Sequence, residues 1–263
     1  MLNYGLAGRV VVVSGATSGI GEACARSFAA KGAHLVLVGR RAERLKELAS
    51  ELSSVHQVAV TTVVADLRVR SQAEGLLESA KFPEIDVLVN NAGLASGLEP
   101  FPENDPDDWD EMIDTNVKGL LWVSRPILKA MLHRLKSDPT ARAHVINLGS
   151  LAGIAAYPNG AVYCATKAAV KLITDGLRLD LVKHPIRVTL IQPGMVETEF
   201  SEVRFHGDKA RAKAVYNGIE PLKAQDIADL VTYAAFAPPH VQITEISVNA
   251  THQASATVVH RNL

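Results

Sequence analysis

The stretch R-V-V-V-V-S-G-A-T-S-G-I-G at residues 9–21 decides the fold of this chain. Residues 9–13 form a short, mostly β-branched apolar run, which predicts a strand buried on both faces of a sheet. Three glycines follow at once, and a helical pattern covers residues 22–31 before Gly32 ends it. The next apolar run, residues 35–38, completes a β–turn–α–β unit of about 30 residues, the size of a mononucleotide-binding half.

The alternation of apolar runs and helical patterns continues to the end of the chain. Further strands are predicted at residues 58–64, 87–90, 144–148, 187–191 and 245–248. Further helices are predicted at residues 40–52, 71–80, 109–135, 162–183 and 224–236. Pro126 falls inside the longest helix pattern, where we expect a kink or a break. Short strands that alternate with helices predict the α/β class, and here a single-domain, Rossmann-type doubly wound parallel sheet covering residues 1–263.

The composition of the 263-residue chain argues against several classes of partner. Its net charge is −1 without a run of Lys and Arg, so we expect neither nucleic acid nor a membrane surface as a partner. No apolar run approaches the ~18 residues that span a bilayer, and no histidine stands at metal-ligand spacing. Cys24 and Cys164 lie in helical patterns, as reduced buried thiols do. Residues 1–8 lack the pattern of a signal peptide, and we therefore expect a cytoplasmic protein without a metal.

Gly15, Gly19 and Gly21 form a G-x-x-x-G-x-G turn between the first strand and the first helix. Glycine permits tight turns with positive φ, and its missing Cβ lets the backbone approach a pyrophosphate. The helix start offers unpaired N–H groups and the positive end of its dipole to the same anion. The pattern therefore predicts a dinucleotide site at this turn; an ordinary strand-to-helix turn is the alternative for the glycines taken alone.

The end of the second strand selects between NAD and NADP. Dinucleotide sites usually place an acid there, about 20 residues after the glycines, to bind the ribose 2′-hydroxyl. Here the position holds Gly39, Arg40 and Arg41. Guanidinium groups pair with a dianionic 2′-phosphate and give NAD no carboxylate partner, so NADP is the predicted cofactor. The alternative is a solvated basic start to the next helix.

Ser150, Tyr163 and Lys167 form a candidate acid–base group. Ser150 follows the predicted strand at 144–148, and Tyr163 and Lys167 stand four residues apart in a helical pattern, which puts both on one helix face. An ammonium and the positive ring of an oxidised nicotinamide favour phenolate, and so lower a phenol pKa from its usual value of about 10. Such a tyrosine exchanges a proton with an alcohol or a carbonyl, while Ser150 orients the substrate oxygen. For the Tyr–Lys pair in isolation, chance helix spacing is the alternative.

Taken in order, these motifs resemble the short-chain dehydrogenase/reductase family, and the resemblance runs over nearly the whole chain. Asn116 matches the helix asparagine that in this family completes a tetrad with Ser150, Tyr163 and Lys167. The resemblance implies an oxidoreductase, and a homotetramer that packs through the two longest helices. It also implies a set of cofactor contacts, namely Gly15, Thr17, Ser18, Gly19, Ile20, Gly21, Arg40, Arg41, Asp66, Leu67, Asn91, Ala92, Gly93, Tyr163, Lys167, Pro193, Gly194, Val196 and Thr198.

A closer resemblance, to the NADP-dependent 3-hydroxy acid dehydrogenases, rests on residues 91–95, 112–116, 198–201, 203–205 and 207–208. It implies oxidation of serine, L-allo-threonine, 3-hydroxypropionate or 3-hydroxyisobutyrate, or reduction of the matching carbonyl compound. A small acid needs a cation for its carboxylate, and Arg204 is the candidate, beside Ser150 and Tyr163. It stands in the predicted substrate lid, residues 193–221; a salt-bridged surface arginine is the alternative. The chain departs from this group in a longer polar connection at residues 136–142.

Three functions are compatible with these patterns. The first is a 3-hydroxy acid dehydrogenase. The second is an NADPH-dependent reductase of the same superfamily that acts on a 3-oxoacyl thioester, a sugar or a ring ketone, and only the lid sequence separates it from the first. The third is a non-catalytic NADP-binding sensor, which would keep the glycine turn and lose the tetrad, whereas all four members of the tetrad are present here.

Overall fold

Parallel strands form the centre of the molecule, for which a computed structural model describes residues 5–80, 84–138 and 140–262. Seven of the described strands pair in parallel in the order β3-β2-β1-β4-β5-β6-β9, and β7 pairs with β8 in a separate parallel ladder. Their bounds are β1 (Val10–Ser14), β2 (His34–Gly39), β3 (Val60–Val64), β4 (Val87–Asn90), β5 (Ala143–Leu148), β6 (Ile186–Pro193), β7 (Val196–Glu197), β8 (Leu222–Lys223) and β9 (Glu245–Val248). The strand order reverses between β1 and β4, and a sheet of this kind binds ligands beyond the carboxyl ends of its strands at such a point.

Helices cover both faces of this sheet. They are α1 (Gly19–Ala29), α2 (Ala42–His56), α3 (Arg70–Glu74), α4 (Leu76–Ala80), α5 (Pro106–Ile113), α6 (Leu120–Ser137), α7 (Ala161–Leu181), α8 (Phe200–Arg204), α9 (Lys209–Ala214) and α10 (Ala224–Phe236). Successive side chains of a strand point to opposite faces, so the valines of β1 divide between two cores. Val11 and Val13 pack with α1 and α10, and Val10 and Val12 pack with α6. The predicted α/β class and doubly wound parallel sheet are confirmed.

The predicted helix at residues 109–135 is interrupted at a different place from the one expected. It begins earlier, as α5, and a π-helical turn at Asp114–Gly119 joins α5 to α6. Of the kink or break expected at Pro126, a break is wrong, because α6 runs through this residue. Proline removes one hydrogen-bond donor, and the buried side chains of Val123, Ile127 and Met131 hold the helix in place around that gap. The predicted helix at 71–80 is two short helices, α3 and α4.

Residues 193–221, the lid segment, contain more regular structure than the sequence predicted. The segment carries β7, α8 and α9. Its two ends are joined, because Val196 pairs with Leu222 and Glu197 with Lys223 in the β7–β8 ladder. The lid segment is therefore clamped at its base, directly after the carboxyl end of β6.

Two expectations from the sequence fall partly outside the described residues. The segment at residues 1–8, which lacks a signal-peptide pattern, includes residues 1–4, which lie outside the described part of the chain. The polar connection at residues 136–142 includes residue 139, which also lies outside it. Among the described residues, no helix combines the length and the apolar character that crossing a membrane requires.

Candidate active site

The glycine turn has the shape that an approaching pyrophosphate needs. Gly15 and Gly19 adopt positive φ angles of 67° and 54°. A Cβ on Gly21 would lie 2.2 Å from the carbonyl oxygen of Gly15, so only glycine fits there. Ser18 precedes α1 without a side-chain hydrogen bond to the helix start, which leaves the first N–H groups of the helix available to an anion. The turn therefore fits the phosphate groups of a dinucleotide.

Asn91 ties this turn to the neighbouring strand. Its side-chain amide donates to the carbonyl oxygens of Ser14 at 3.0 Å and Gly15 at 3.3 Å. The hydroxyl of Ser14 accepts in return from the backbone N–H groups of Asn91 and Ala92, each at 3.0 Å. The carboxyl ends of β1 and β4 are held together by these bonds, so that the floor of the site is preorganised.

Charged side chains surround the far end of the turn. Arg41 donates from Nε and Nη2 to the Thr17 hydroxyl at 3.1 and 2.9 Å, and Arg40 is exposed. Asp66 pairs with Arg68 at 2.6 Å, and hydrogen bonding from this guanidinium holds the pKa of the Asp66 carboxyl below its usual value. The cations of Arg40 and Arg41 on one side of the turn suit a phosphate group there. The Asp66 carboxylate is paired with Arg68.

Tyr163 and Lys167 lie one helical turn apart on α7, and both are buried. The Lys167 Nζ donates to the carbonyl oxygen of Leu148 at 3.0 Å and lies 6.0 Å from the centre of the Tyr163 ring. Ser150 starts the 3₁₀ turn after β5, where its hydroxyl accepts from the N–H of Ala152 at 3.1 Å. The three side chains that stand 13 and 4 residues apart in the sequence thus meet at the carboxyl edge of the sheet.

The pKa values at this site are set mainly by burial. Burial raises the pKa of the Tyr163 phenol, and the charge of Tyr157 adds to that, while a hydrogen bond with Ser150 and the charge of Arg204 act in the opposite direction. Burial lowers the pKa of Lys167 to about 8. The lowering of the Tyr163 pKa expected from Lys167 together with an oxidised nicotinamide stays a prediction, and the net direction here follows from desolvation of the phenolate.

Asn116 lies behind the wall of the site, in the π-helical turn. Its amide donates to the Leu94 carbonyl oxygen at 2.8 Å and to the Thr166 hydroxyl at 3.0 Å. A Cβ on Gly93 would lie 3.1 Å from the Asn116 Oδ1 and 3.3 Å from the Lys167 Nζ. A side chain at residue 93 would therefore crowd both the asparagine and the lysine.

Arg204, from α8 of the lid segment, reaches the same site. Its Nε donates to the carbonyl oxygen of Gly97 at 3.2 Å. Its guanidinium carbon lies 5.4 Å from the centre of the Tyr157 ring and 5.7 Å from the centre of the Tyr163 ring. Arg204 forms no ion pair with a carboxylate in the described part of the chain. The salt-bridged surface alternative is therefore excluded within the described residues, and the cation remains available to a ligand.

A cleft of about 710 Å³ joins these groups. The predicted residues that line it are Gly15, Thr17, Ser18, Gly19, Ile20, Arg40, Arg41, Asp66, Leu67, Asn91, Ala92, Gly93, Ser150, Tyr163, Lys167, Pro193, Gly194, Val196, Thr198 and Arg204. Gly21, predicted as a cofactor contact, and Asn116, predicted as a member of the tetrad, do not line the cleft. Gly21 is covered by the backbone of Gly15 and by Asn91, and Asn116 is separated from the cleft by Gly93.

Tyr157 and Gln253 are among the lining residues that sequence reasoning missed. The Tyr157 ring lies on the backbone of Gly160, where a Cβ would come within 2.1 Å of it, so the nearby glycine was a usable signal. Gln253 accepts from the N–H of Met195 at 2.8 Å and lies against Gly194. No local pattern indicates this contact, because the two segments are separated by almost sixty residues.

Residues 9–209 match the family model described as short chain dehydrogenase, and the chain belongs to this family. It is 44% identical over 256 residues to sulfoacetaldehyde reductase 2 of Chromohalobacter salexigens, covering 96% of this chain and 99% of the relative. It is 41% identical over 256 residues to the NADP-dependent 3-hydroxy acid dehydrogenase YdfG of Escherichia coli K12, with the same coverage of 96% and 99%.

Solved structures agree with this assignment. A closed form of serine dehydrogenase complexed with NADP+ superposes with a TM-score of 0.87 at 40% identity, over 96% of this chain and all of that one, 100%. Serine dehydrogenase from Escherichia coli gives a TM-score of 0.76 at 36% identity, with 93% and 99% covered. The protein is an enzyme, an oxidoreductase that acts on CH–OH groups.

Proposed function

We propose that this enzyme is an NADP(H)-dependent dehydrogenase of short 3-hydroxy acids, of the serine, L-allo-threonine, 3-hydroxypropionate or 3-hydroxyisobutyrate type, which also reduces the matching carbonyl compounds. The observation that carries the proposal is the guanidinium of Arg204, which forms no ion pair with a carboxylate of the described residues and lies 5.7 Å from the centre of the Tyr163 ring in the same cleft. A cation this close to an acid–base residue selects a substrate whose reacting carbon is only a few bonds from an anionic group.

NADP(H) is the cofactor that the residues fit. The glycine turn and the open start of α1 suit the pyrophosphate, and Arg40 and Arg41 suit a 2′-phosphate. Two relatives described above carry NADP in their names or titles, which supports the same cofactor for this chain. When bound, the cofactor accepts hydride from the substrate carbon or returns it.

Tyr163 is the proposed general base for oxidation and general acid for reduction. It takes the hydroxyl proton as the alcohol is oxidised, and gives it back when the carbonyl is reduced. Ser150 holds the substrate oxygen next to the phenol. The Lys167 ammonium stabilises the phenolate, and its bond to the Leu148 carbonyl keeps it directed towards the site. Asn116 completes the proposed tetrad from behind Gly93, where a Cβ would lie 3.1 Å from its Oδ1.

A sulfonate is a second candidate for the anionic group. A relative that is 44% identical is named sulfoacetaldehyde reductase 2. A sulfonate carries the same single charge as a carboxylate, so Arg204 suits either. A 3-oxoacyl thioester reductase remains the main alternative to both; a neutral thioester gives Arg204 no charge to neutralise. An NADP-binding sensor has no use for the assembled group of Ser150, Tyr163 and Lys167.

A substrate panel followed at 340 nm with NADP(H) tests the proposal. It contains serine, L-allo-threonine, 3-hydroxyisobutyrate, sulfoacetaldehyde and an acetoacetyl thioester. Turnover of at least one hydroxy acid is the expected result, and turnover of the thioester alone would refute the proposal.

The Arg204→Gln variant tests the role of the cation. Loss of a charged hydrogen bond costs about 1.5–3 kcal/mol, so kcat/KM for the hydroxy acids should fall by about 10- to 150-fold. The neutral methyl ester of the same acid should be affected much less. Arg211→Gln is the matched control, because Arg211 stands in α9 of the lid segment but does not line the cleft. Equal losses for acid and ester would assign Arg204 a structural role instead.

We also infer a homotetramer. Leu172, Leu179 and Val182, from α7 and its end, are 70%, 76% and 77% exposed, and apolar side chains in a row on one helix favour a contact with another chain. A cytoplasmic location and a single domain over residues 1–263 stay predictions.

A further inference from the structure

Glu199, in the lid segment, lies between two arginines at the mouth of the cofactor cleft. Its Oε2 pairs with the Arg41 Nη1 at 2.7 Å, and its Oε1 pairs with the Arg44 Nη1 at 2.6 Å. Both arginines belong to the segment that follows β2, where the predicted 2′-phosphate contacts lie. An acidic side chain of the lid segment thus occupies Arg41, one of the two cations of the predicted phosphate site.

Arg41 is shared between the glycine turn and Glu199. Its Nε and Nη2 donate to the Thr17 hydroxyl, and Nη2 also donates to the Thr17 carbonyl oxygen at 3.1 Å. These bonds direct one side of the guanidinium to the turn, and Nη1 is left for Glu199. A phosphate that binds Arg41 must therefore share or take the nitrogen that the Glu199 carboxylate now holds.

Glu199 carries its negative charge at neutral pH. Partial burial raises the pKa of this carboxyl, but the hydrogen bonds and charges of Arg41 and Arg44 together lower it by more. The net pKa of Glu199 is therefore below its usual value. The carboxylate is 41% exposed on its side chain, so it can move without leaving a buried charge behind. Arg44 can hold it after Arg41 turns to another anion.

We propose that Glu199 is a specificity-determining residue that competes with the 2′-phosphate of NADP(H) for Arg41, and thereby moderates the preference for NADP(H) over NAD(H). The inference rests on the proposed cofactor. NAD(H) has no 2′-phosphate to pair with Arg41, so Glu199 affects the binding of NADP(H) alone. Removing the carboxylate should therefore tighten NADPH binding and leave NADH binding unchanged.

The experiment measures dissociation constants of NADPH and NADH by fluorescence titration, without substrate, for wild type, Glu199→Gln and Glu202→Gln. Glu202 is the matched control, because it stands in α8, which begins directly after Glu199, pairs with Lys209 at 3.8 Å and does not line the cleft. From the strength of exposed ion pairs and the double charge of the phosphate, E199Q should bind NADPH about three- to tenfold tighter. NADH binding in E199Q, and both cofactors in E202Q, should stay within about twofold of wild type.

Three outcomes overturn the inference. Weaker NADPH binding in E199Q would make Glu199 a latch that supports the cofactor. An equal change for NADPH and NADH would mean that Glu199 acts on the lid segment as a whole. An equal gain in E202Q would reduce the effect to net charge. If wild type binds neither cofactor, the proposed function itself fails, and a thermal melt of each variant shows whether folding is the cause.

Discussion

Lys167 is a buried cation, and its burial makes the stability of the protein depend on pH. Its Nζ donates to a backbone carbonyl oxygen at 3.0 Å, and burial lowers its pKa from the usual 10.5 to about 8. Between these two values the unfolded chain holds more protons than the native one. The free energy of unfolding therefore rises with pH across this window, and the penalty is fully present below about pH 8.

The size of the effect follows from the two pKa values. One pKa unit corresponds to about 1.4 kcal/mol, so the full penalty on the native state is about 3 kcal/mol. Between about pH 7 and about pH 9.5, linkage gives a gain of about 2 kcal/mol in the free energy of unfolding. Tyr163 acts in the opposite direction, because its raised pKa keeps the native phenol protonated. That effect begins only above about pH 10, outside the range from about pH 7 to about pH 9.5.

The assay compares urea unfolding of wild type and Lys167→Met at about pH 7 and about pH 9.5, with catalysis left aside. Methionine keeps the length of the side chain without the charge. The variant should be more stable than wild type at the lower pH, by about 2 kcal/mol more than at the higher pH. Other titrating groups cancel in this difference.

Lys171→Met serves as the control, since Lys171 lies one turn further along α7 and pairs with Asp175 and Glu245, whose hydrogen bonds raise its pKa. The difference in free energy of unfolding between Lys171→Met and wild type should not fall by about 2 kcal/mol between the two pH values. If the wild-type and Lys167→Met stabilities run parallel across the window, Lys167 does not titrate as its burial requires, and the reasoning is refuted.

Three further predictions concern the turn, the acid–base residue and the assembly. Tyr163→Phe should bind NADPH as wild type does in a fluorescence titration but lose about 10²- to 10⁴-fold in kcat, and unchanged turnover would exclude proton transfer by this phenol. Gly21→Ala puts a Cβ 2.2 Å from the Gly15 carbonyl oxygen, so it should cost about 1–3 kcal/mol in urea unfolding and weaken NADPH binding; wild-type behaviour in both would contradict the tight turn. Leu172→Glu with Leu179→Glu should lower the molar mass measured by light scattering, and a mass identical to that of wild type would place any subunit contact elsewhere.

Patterns between near neighbours in the sequence predicted most of the fold. The alternation of apolar runs and helical patterns predicted the sheet because a strand buried on both faces must be apolar throughout. The same reasoning misplaced the irregular point of the α5–α6 segment at Pro126. Proline is visible in a sequence, whereas the π-helical turn at Asp114–Gly119 depends on packing against residues from other elements, such as Leu94 and Thr166.

The cofactor turn and the acid–base residues were predictable for a similar reason. Glycines that need positive φ, and a Tyr–Lys pair on one helix face, are constraints between near neighbours. Arg204 was a candidate only through resemblance, and its distance from Tyr163 depends on how the lid segment folds back over the sheet. Gln253 and Glu199 carry no local signal, since their partners are far away in the chain.

The sequence by itself therefore determined the class of fold, the glycine turn, the basic residues after β2 and the order of the tetrad, because each is a matter of local geometry and residue chemistry. Only the tertiary structure decided that Asn91 covers Gly21, that the Tyr163 phenol and the Lys167 ammonium are both buried, and that Glu199 holds Arg41. These are relations between distant segments. Desolvation and charge pairing depend on what surrounds a group in space, and the order of residues along the chain does not specify that directly.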